Sequence, residues 1–190
     1  MKISRNKTKN AAVTAIIVSA AMLLSKLFGM IRDILIAYLY GTESVSAIAF
    51  STASRIPLLF FDIALGTAVT AAFIPIYNEF LQKGERKKAQ DFSNKFITLV
   101  SIVTLVMVVF GILFSKTVVH IIAGGLDGEK LNLAASLVKI LFPAIFITGI
   151  AYCFVGILQS DGEFVIPALI SLVSNAFLIL YIVIFSFTMK

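Results

Sequence analysis

Five apolar segments constrain this chain more than any other feature of its sequence, because each is at least as long as a membrane span. About 20 consecutive apolar residues in a helix cross a bilayer core. Only 14% of the residues are charged, against about 25% in soluble domains. We therefore predict an all-α polytopic membrane helix bundle, rather than a soluble all-α protein with a large apolar core. About five transmembrane helices are expected in a single domain over residues 1–190, at 11–40, 45–81, 91–122, 130–159 and 164–189.

Basic residues predict the orientation of these helices. They are concentrated in the first ten residues and in the loop at 83–95. Because Lys and Arg are enriched in cytoplasmic loops, we expect a cytoplasmic N-terminus and an external C-terminus. The same distribution accounts for the net charge of +6, so we expect no nucleic-acid partner. The basic leader and the apolar run after it also resemble a signal peptide, but the apolar pattern continues to Tyr40 and favours a retained first helix.

The sequence offers little chemistry for catalysis or metal binding. It has one histidine, His120, and one cysteine, Cys153, and it lacks the Cys-x-x-Cys and His-Glu-x-x-His spacings of zinc sites. It also lacks the glycine-rich phosphate-binding loop of ATPases. We therefore expect no enzyme activity, no catalytic residue, no metal site and no cofactor. We interpret His120 as structural, with a proton relay as the alternative, and Cys153 as a packing residue.

Charged residues inside the first apolar segment mark the predicted functional site. The run Ser-Lys-Leu-Phe-Gly-Met-Ile-Arg-Asp places Lys26, Arg32 and Asp33 within the span. Each ionised group costs roughly 2.5–3.5 kcal/mol at a bilayer centre, so such groups are retained where they face a watery cavity or a partner. Helix periodicity puts Ser25, Gly29, Arg32 and Asp33 on one side, and Lys26 falls in the same sector. We expect a basic, locally open helix face.

Further charges lie in the later segments. Arg55 and Asp62 share a helix face at i and i+7, and Lys139 is close enough to its helix start to reach the interface. Two interpretations of the intramembrane charges stay open. Either Asp33 and Asp62 pair with basic residues and lock helices together, or the positive surplus of the first two segments binds an anion. Arginine presents paired donors to phosphate oxygens, so a phosphate or pyrophosphate would be the expected ligand.

Three stretches resemble the beginning of the MurJ/MviN family of lipid II flippases, in the MATE-like multidrug/oligosaccharidyl-lipid/polysaccharide exporter superfamily. They are Ser25 to Asp33, Arg55-Ile56-Pro57 and Ala72 to Tyr77. The resemblance implies the bacterial plasma membrane, the lipid-linked peptidoglycan precursor as cargo, and a cationic cavity that holds its pyrophosphate headgroup by alternating access. Together with the helix face above, it predicts these substrate-binding residues: Ser25, Lys26, Gly29, Arg32, Asp33 and Arg55.

The chain also departs from the family. Many members have an arginine pair shortly after the proline, where this chain has Phe60-Phe61, and an acid where it has Ala47-Ile48-Ala49. The family has about fourteen helices, mostly in two lobes, whereas transporters place their sites at the interface between such repeats. We expect this chain to be most of an N-terminal lobe, either a fragment or a truncated gene product.

The expected partners are therefore an anionic polyprenyl-pyrophosphate-linked lipid such as lipid II, the membrane lipids, and the remainder of the transporter. Two alternatives stay open. One is an exporter of another polyprenyl-linked oligosaccharide or of a small cation, although the acid-poor helix face argues against a cation. The other is a non-transporting, truncated membrane protein.

Overall fold

Helices form every regular element in the part of the chain that the structure describes. The computed structural model describes the backbone of residues 2–41 and 43–188 and the side chains of residues 12–41, 43–63, 65 and 67–186. Two π-helical turns, Asp62–Gly66 and Val69–Phe73, lie between the second and third helices. The predicted all-α class is confirmed. The α-helices within these residues are α1 Lys2–Tyr40, α2 Val45–Phe61, α3 Ile74–Gln82, α4 Arg86–Leu113, α5 Ser115–Ile122, α6 Gly128–Leu141, α7 Ala144–Ser160 and α8 Val165–Thr188.

Three of these helices are long and apolar enough to cross a membrane. They are Ala12–Tyr40 of α1, all of α4, and Val165–Ser186 of α8. α6 and α7 together qualify as a fourth span, bent by 42° at the break between them. The described residues thus form a membrane helix bundle with three or four candidate spans. Five crossings remain a prediction, because the segment at 45–81 is divided into α2, the two π-helical turns and α3.

Proline explains two of the interruptions within the predicted segments. Pro143 separates α6 from α7, since it has no N–H to donate and its ring clashes with the preceding turn. Pro75 lies in the first turn of α3, directly after a π-helical turn, where its missing N–H costs little. α2, by contrast, continues through Pro57.

Other helix limits differ from the predicted ones. α1 already begins at Lys2, before the predicted start at Ala11, because the polar leader contains no Pro or Gly that would stop a helix. The predicted helix at 91–122 is divided at Phe114, and nothing in the local sequence explains that break. The predicted end of the last helix at residue 189 lies outside the described residues.

The chain divides into two compact units, residues 1–42 with 161–190, and residues 43–160. In the first unit, α1 packs along α8. Its buried residues among those described are few, namely Ala21, Ser25, Ala168 and Ile182. Large apolar side chains such as Ile16 and Phe177 are exposed, as expected of helices that face lipid.

The second unit has a dense core in which α2 packs on α6 and α4 packs on α7. Ile56, Phe61 and Phe142 are almost completely buried there, and Phe73 is completely buried in a second, smaller cluster of the same unit. Glycine lets two of the elements approach closely: a Cβ atom at Gly111 would lie 2.0 Å from the ring of Phe142. Small residues at helix contacts serve this purpose throughout membrane proteins.

Candidate functional site

Three of the predicted residues of α1, Ser25, Gly29 and Arg32, lie on the helix face that meets α8. Ser25 is buried, Gly29 and Arg32 are half-buried, and Lys26 and Asp33 are exposed. This gradient follows the helical periodicity, because residues at i, i+4 and i+7 share one side. α8 contributes two polar side chains to the same contact, Ser171 and Asn175, which lie one turn apart at i and i+4.

A chain of hydrogen bonds joins the two helices. The Ser25 hydroxyl donates to the Ser171 hydroxyl at 2.7 Å. The Asn175 amide nitrogen donates to the Ser25 carbonyl oxygen at 3.2 Å and lies 3.4 Å from its hydroxyl. Arg32 Nη1 then donates to the Asn175 amide oxygen at 3.0 Å. Polar side chains are thus paired between two otherwise apolar helices, where an unpaired polar group would be costly.

Arg32 is also paired with the acid beside it. Its Nε and Nη2 donate to Asp33 Oδ1 at 3.0 Å and 2.8 Å. The Arg32 side chain is 31% exposed and that of Asp33 is 68% exposed. Both residues belong to α1, so this ion pair does not lock two helices together. Asn175 supplies the contact between the helices instead.

Lys26 has no carboxylate partner among the described residues, since none of the ion pairs found there involves it. It is exposed within a candidate span. The candidate span Ala12–Tyr40 therefore carries one charge-balanced pair, Arg32 with Asp33, and one further basic group, Lys26. An anion is the ligand that such a face could bind by charge and hydrogen bonding.

Arg55 lies on α2 in the second unit, where it is exposed. Asp62 follows in the first π-helical turn and is also exposed. The two form no ion pair with each other or with another described residue. Lys139 is likewise exposed in the last turn of α6. No structural observation ties these three residues to the α1 network, so the role of Arg55 stays a prediction.

Phe60 and Phe61, which stand where the resemblance implies an arginine pair, pack in the core of the second unit. Phe60 makes an edge contact with the ring of Phe142, with centroids 5.6 Å apart, and Phe61 does so with Tyr152 at 4.8 Å. These positions therefore contribute aromatic packing, which favours such edge geometry, and no charge.

Sequence reasoning missed Ser171 and Asn175 as members of the site. Their spacing carried a usable signal, because two polar residues at i and i+4 in an apolar helix predict a polar contact on one face. The carboxylates, the histidine and the cysteine in the described part of the chain form no cluster of three that could hold a metal ion.

Comparison with known proteins shows which family this chain is similar to. The family model described as lipid II flippase MurJ matches residues 36–190. A probable lipid II flippase MurJ of Buchnera aphidicola subsp. Baizongia pistaciae is 33% identical over 175 residues, which are 91% of this chain and 34% of that protein. A probable lipid II flippase MurJ of Vibrio cholerae is 33% identical over 187 residues, which cover 91% of this chain and 34% of that protein.

A lipid II flippase MurJ of Thermosipho africanus is 29% identical over 170 residues, 88% of this chain and 34% of the relative. The chain thus spans about a third of the length of the curated relatives that it matches. No solved structure matches the chain.

Proposed function

This chain belongs to the lipid II flippase MurJ family, and on that premise we propose that it is the N-terminal part of a flippase for a lipid-linked cell-wall precursor. The cargo would be a polyprenyl lipid whose sugar headgroup is joined through a pyrophosphate. The protein would move that headgroup across the bacterial plasma membrane, with its own N-terminus in the cytoplasm. It would do so as a transporter, with no bond made or broken.

One observation carries this proposal: two basic side chains, Lys26 and Arg32, lie within a candidate membrane span beside a single acid. Charged groups at membrane depth mark substrate pathways, because keeping them there is costly. Asp33 balances one of the two positive charges. The remaining charge attracts an anion, and the pyrophosphate is the anionic part of the proposed cargo.

Arg32 can bind a phosphate oxygen without giving up its present contacts. It uses Nε and Nη2 for Asp33 and Nη1 for Asn175. Each terminal nitrogen of a guanidinium carries a second hydrogen, so one further N–H on Nη1 and one on Nη2 are available. Lys26 adds a mobile point charge in the same sector. Arg55 is proposed as a third basic contact, by its position before Pro57 in the family pattern.

Alternating access requires a second lobe that moves against this one, since transporters place their sites between such repeats. The 43–160 core would move as a packed body. The π-helical turns between α2 and α3 are of a kind found often at functional sites. The headgroup would be held by the basic residues while the lobes expose it first to the cytoplasm and then to the outside.

Complementation tests the proposed role of the basic residues. Arg32→Ala, Lys26→Ala and Arg55→Ala are introduced into the full-length protein, which is then expressed in a flippase-depleted strain. We expect each variant to lose most of its ability to restore growth, while Lys116→Ala, which removes an exposed lysine of α5, retains it. Normal growth with Arg32→Ala at wild-type expression would remove Arg32 from the mechanism.

Lipid binding separates the candidate cargoes. Native mass spectrometry of the full-length protein compares a pyrophosphate-linked polyprenyl sugar with a neutral lipid of the same chain length. We expect the pyrophosphate lipid to bind more tightly, and Arg32→Ala to remove that preference. The same measurement is repeated with precursors that carry different sugars. Equal binding of these precursors would favour a general exporter of polyprenyl-linked oligosaccharides. The absence of an arginine pair at Phe60-Phe61 supports that alternative. Failure of the unaltered protein to restore growth would favour the non-transporting alternative.

A further inference from the structure

We infer that Asn175 of α8 is a positioning residue that holds the Arg32 guanidinium in a fixed orientation for its anionic ligand. The consequence for the ligand rests on the proposed function, whereas the restraint on Arg32 does not. Asn175 is far from α1 in sequence, lies outside the stretches that carry the family resemblance, and contacts Arg32 with the amide oxygen alone.

The orientation of the Asn175 amide follows from its two partners. Its nitrogen faces the Ser25 carbonyl, an acceptor, at 3.2 Å, and its oxygen faces Arg32 Nη1, a donor, at 3.0 Å. A flipped amide would set oxygen against oxygen and nitrogen against nitrogen, so the hydrogen-bond pattern selects one arrangement. The Ser25 carbonyl belongs to the backbone and cannot change rotamer, so it fixes the direction of the Asn175 amide. The amide oxygen is thereby held in place as the acceptor for Arg32.

Asn175 bridges two positions of α1 that lie two turns apart, and Gly29 lies between them. A Cβ atom at Gly29 would be 3.6 Å from the Asn175 amide nitrogen, an ordinary contact distance. The amide therefore lies next to Gly29, where a methyl group would still fit. Asn175 itself is half-buried and lies within a candidate membrane span.

Without Asn175, Arg32 would be held by Asp33 alone. That carboxylate is 68% exposed and lies next to Arg32 on the same helix, so the two side chains could swing together. A long arginine side chain has many rotamers, and a planar guanidinium loses less freedom on binding when it is already oriented. A second contact, from a different helix, restricts the guanidinium where the ion pair does not.

The restraint is tested first without any lipid. Arginine modification by phenylglyoxal is followed by peptide mass spectrometry on the full-length protein in detergent, and Arg55 in the same sample is the internal reference. We expect Asn175→Leu to raise the modification rate of Arg32 about 3- to 15-fold, the range of one interhelical hydrogen bond, and to leave Arg55 unchanged. Ser174→Ala removes a hydroxyl group of α8 that takes no part in the hydrogen bonds to α1, so it should change neither rate.

Conservative variants guard against a folding defect. Asn175→Asp loses the donor to the Ser25 carbonyl but presents a charged acceptor to Arg32, so its Arg32 rate should not rise above that of the unaltered protein. Asn175→Ser, which is shorter and polar, should raise it as Asn175→Leu does. An unchanged Arg32 rate in both Asn175→Leu and Asn175→Ser would overturn the inference, and so would an equal rise at Arg55, which would indicate general unfolding.

A double-mutant cycle then links the restraint to the ligand. Asn175→Leu should weaken binding of the pyrophosphate-linked lipid about 3- to 15-fold, but should have no further effect in an Arg32→Ala background. An equal loss in both backgrounds would mean that Asn175 acts independently of Arg32, which contradicts a positioning role. If Arg32→Ala itself does not weaken lipid binding while the modification rates respond as expected, the proposed function fails and the restraint on Arg32 stands.

Discussion

The two units of this protein hold their helices together by different means. In the first unit, α1 and α8 bury few residues and are joined by hydrogen bonds among Ser25, Ser171, Asn175 and Arg32. In the second unit, residues 43–160 pack through aromatic rings and glycines, and hydroxyl groups such as that of Thr104 bond to the backbone of their own helix, here to the carbonyl of Val100.

The difference matters because lipid offers no hydrophobic driving force between helices. Association then depends on close packing or on hydrogen bonds. Close packing fixes the shape of a body, and it tolerates any side chain that fills the space. Hydrogen bonds fix the orientation of particular groups, which is what a charged ligand site requires. The polar contact includes Arg32, one of the proposed headgroup residues, whereas Arg55, the proposed third basic contact, is exposed on the packed unit.

The largest loss of stability is expected from adding a methyl group at Gly111, where α4 comes closest to Phe142. In Gly111→Ala, the new methyl group would lie 2.0 Å from the Phe142 ring. Phe142 is completely buried next to the α6–α7 break, so the ring cannot move aside. Overpacking of this kind costs about 1–3 kcal/mol, and more where nothing yields. We expect a clear fall in the thermal unfolding midpoint of the full-length protein in detergent.

The control for Gly111→Ala is Gly125→Ala in the same unit, because a Cβ atom there would meet no atom within 4 Å. That variant should unfold close to the unaltered protein. Equal midpoints for the two variants would show that α4 does not approach Phe142 as closely as described, and the contrast between a packed and a hydrogen-bonded unit would lose its main support.

The helices and the family could be predicted from the sequence, but the contacts between residues on different helices could not. Apolar length and low charge predicted the all-α membrane bundle, and the resemblance predicted the family, and both are confirmed. Periodicity on one helix gives the face of Arg32, yet it cannot identify Asn175, which lies more than a hundred residues away. The approach of Gly111 to Phe142 depends on two helices meeting, and no local pattern reports it.

A smaller effect is expected from the polar contact of the first unit. Ser171→Ala removes the acceptor of the 2.7 Å bond from Ser25 and leaves the apolar surfaces unchanged. Hydrogen bonds between membrane helices average about 0.6 kcal/mol, so the loss of unfolding free energy should be well below that of Gly111→Ala. Chemical unfolding in detergent measures it. Ser174→Ala is the matched control, because Ser174 makes no hydrogen bond to a described residue.

A loss of stability in Ser171→Ala as large as that in Gly111→Ala would reverse the comparison, because one hydrogen bond would then contribute as much as the tightest packing contact. No loss relative to Ser174→Ala would mean that the Ser25–Ser171 bond is replaced by water or lipid headgroups when it is broken. The joining of α1 and α8 would then depend on Asn175.

The smallest change in unfolding free energy is expected for Gly29→Ala, and this change should be stabilising or zero. In Gly29→Ala the new methyl group would lie 3.6 Å from the Asn175 amide nitrogen, which is normal van der Waals contact. Alanine is favoured over glycine inside a helix by about 1 kcal/mol in water, so the unfolding free energy should stay equal or rise slightly. The same substitution therefore destabilises the protein at Gly111 and is tolerated at Gly29, although both glycines face a neighbouring helix. A loss of stability at Gly29 comparable to that at Gly111 would mean that α1 and α8 are also held by close packing, and that the orientation of Arg32 depends on the fit of the two helices as well as on the Asn175 amide.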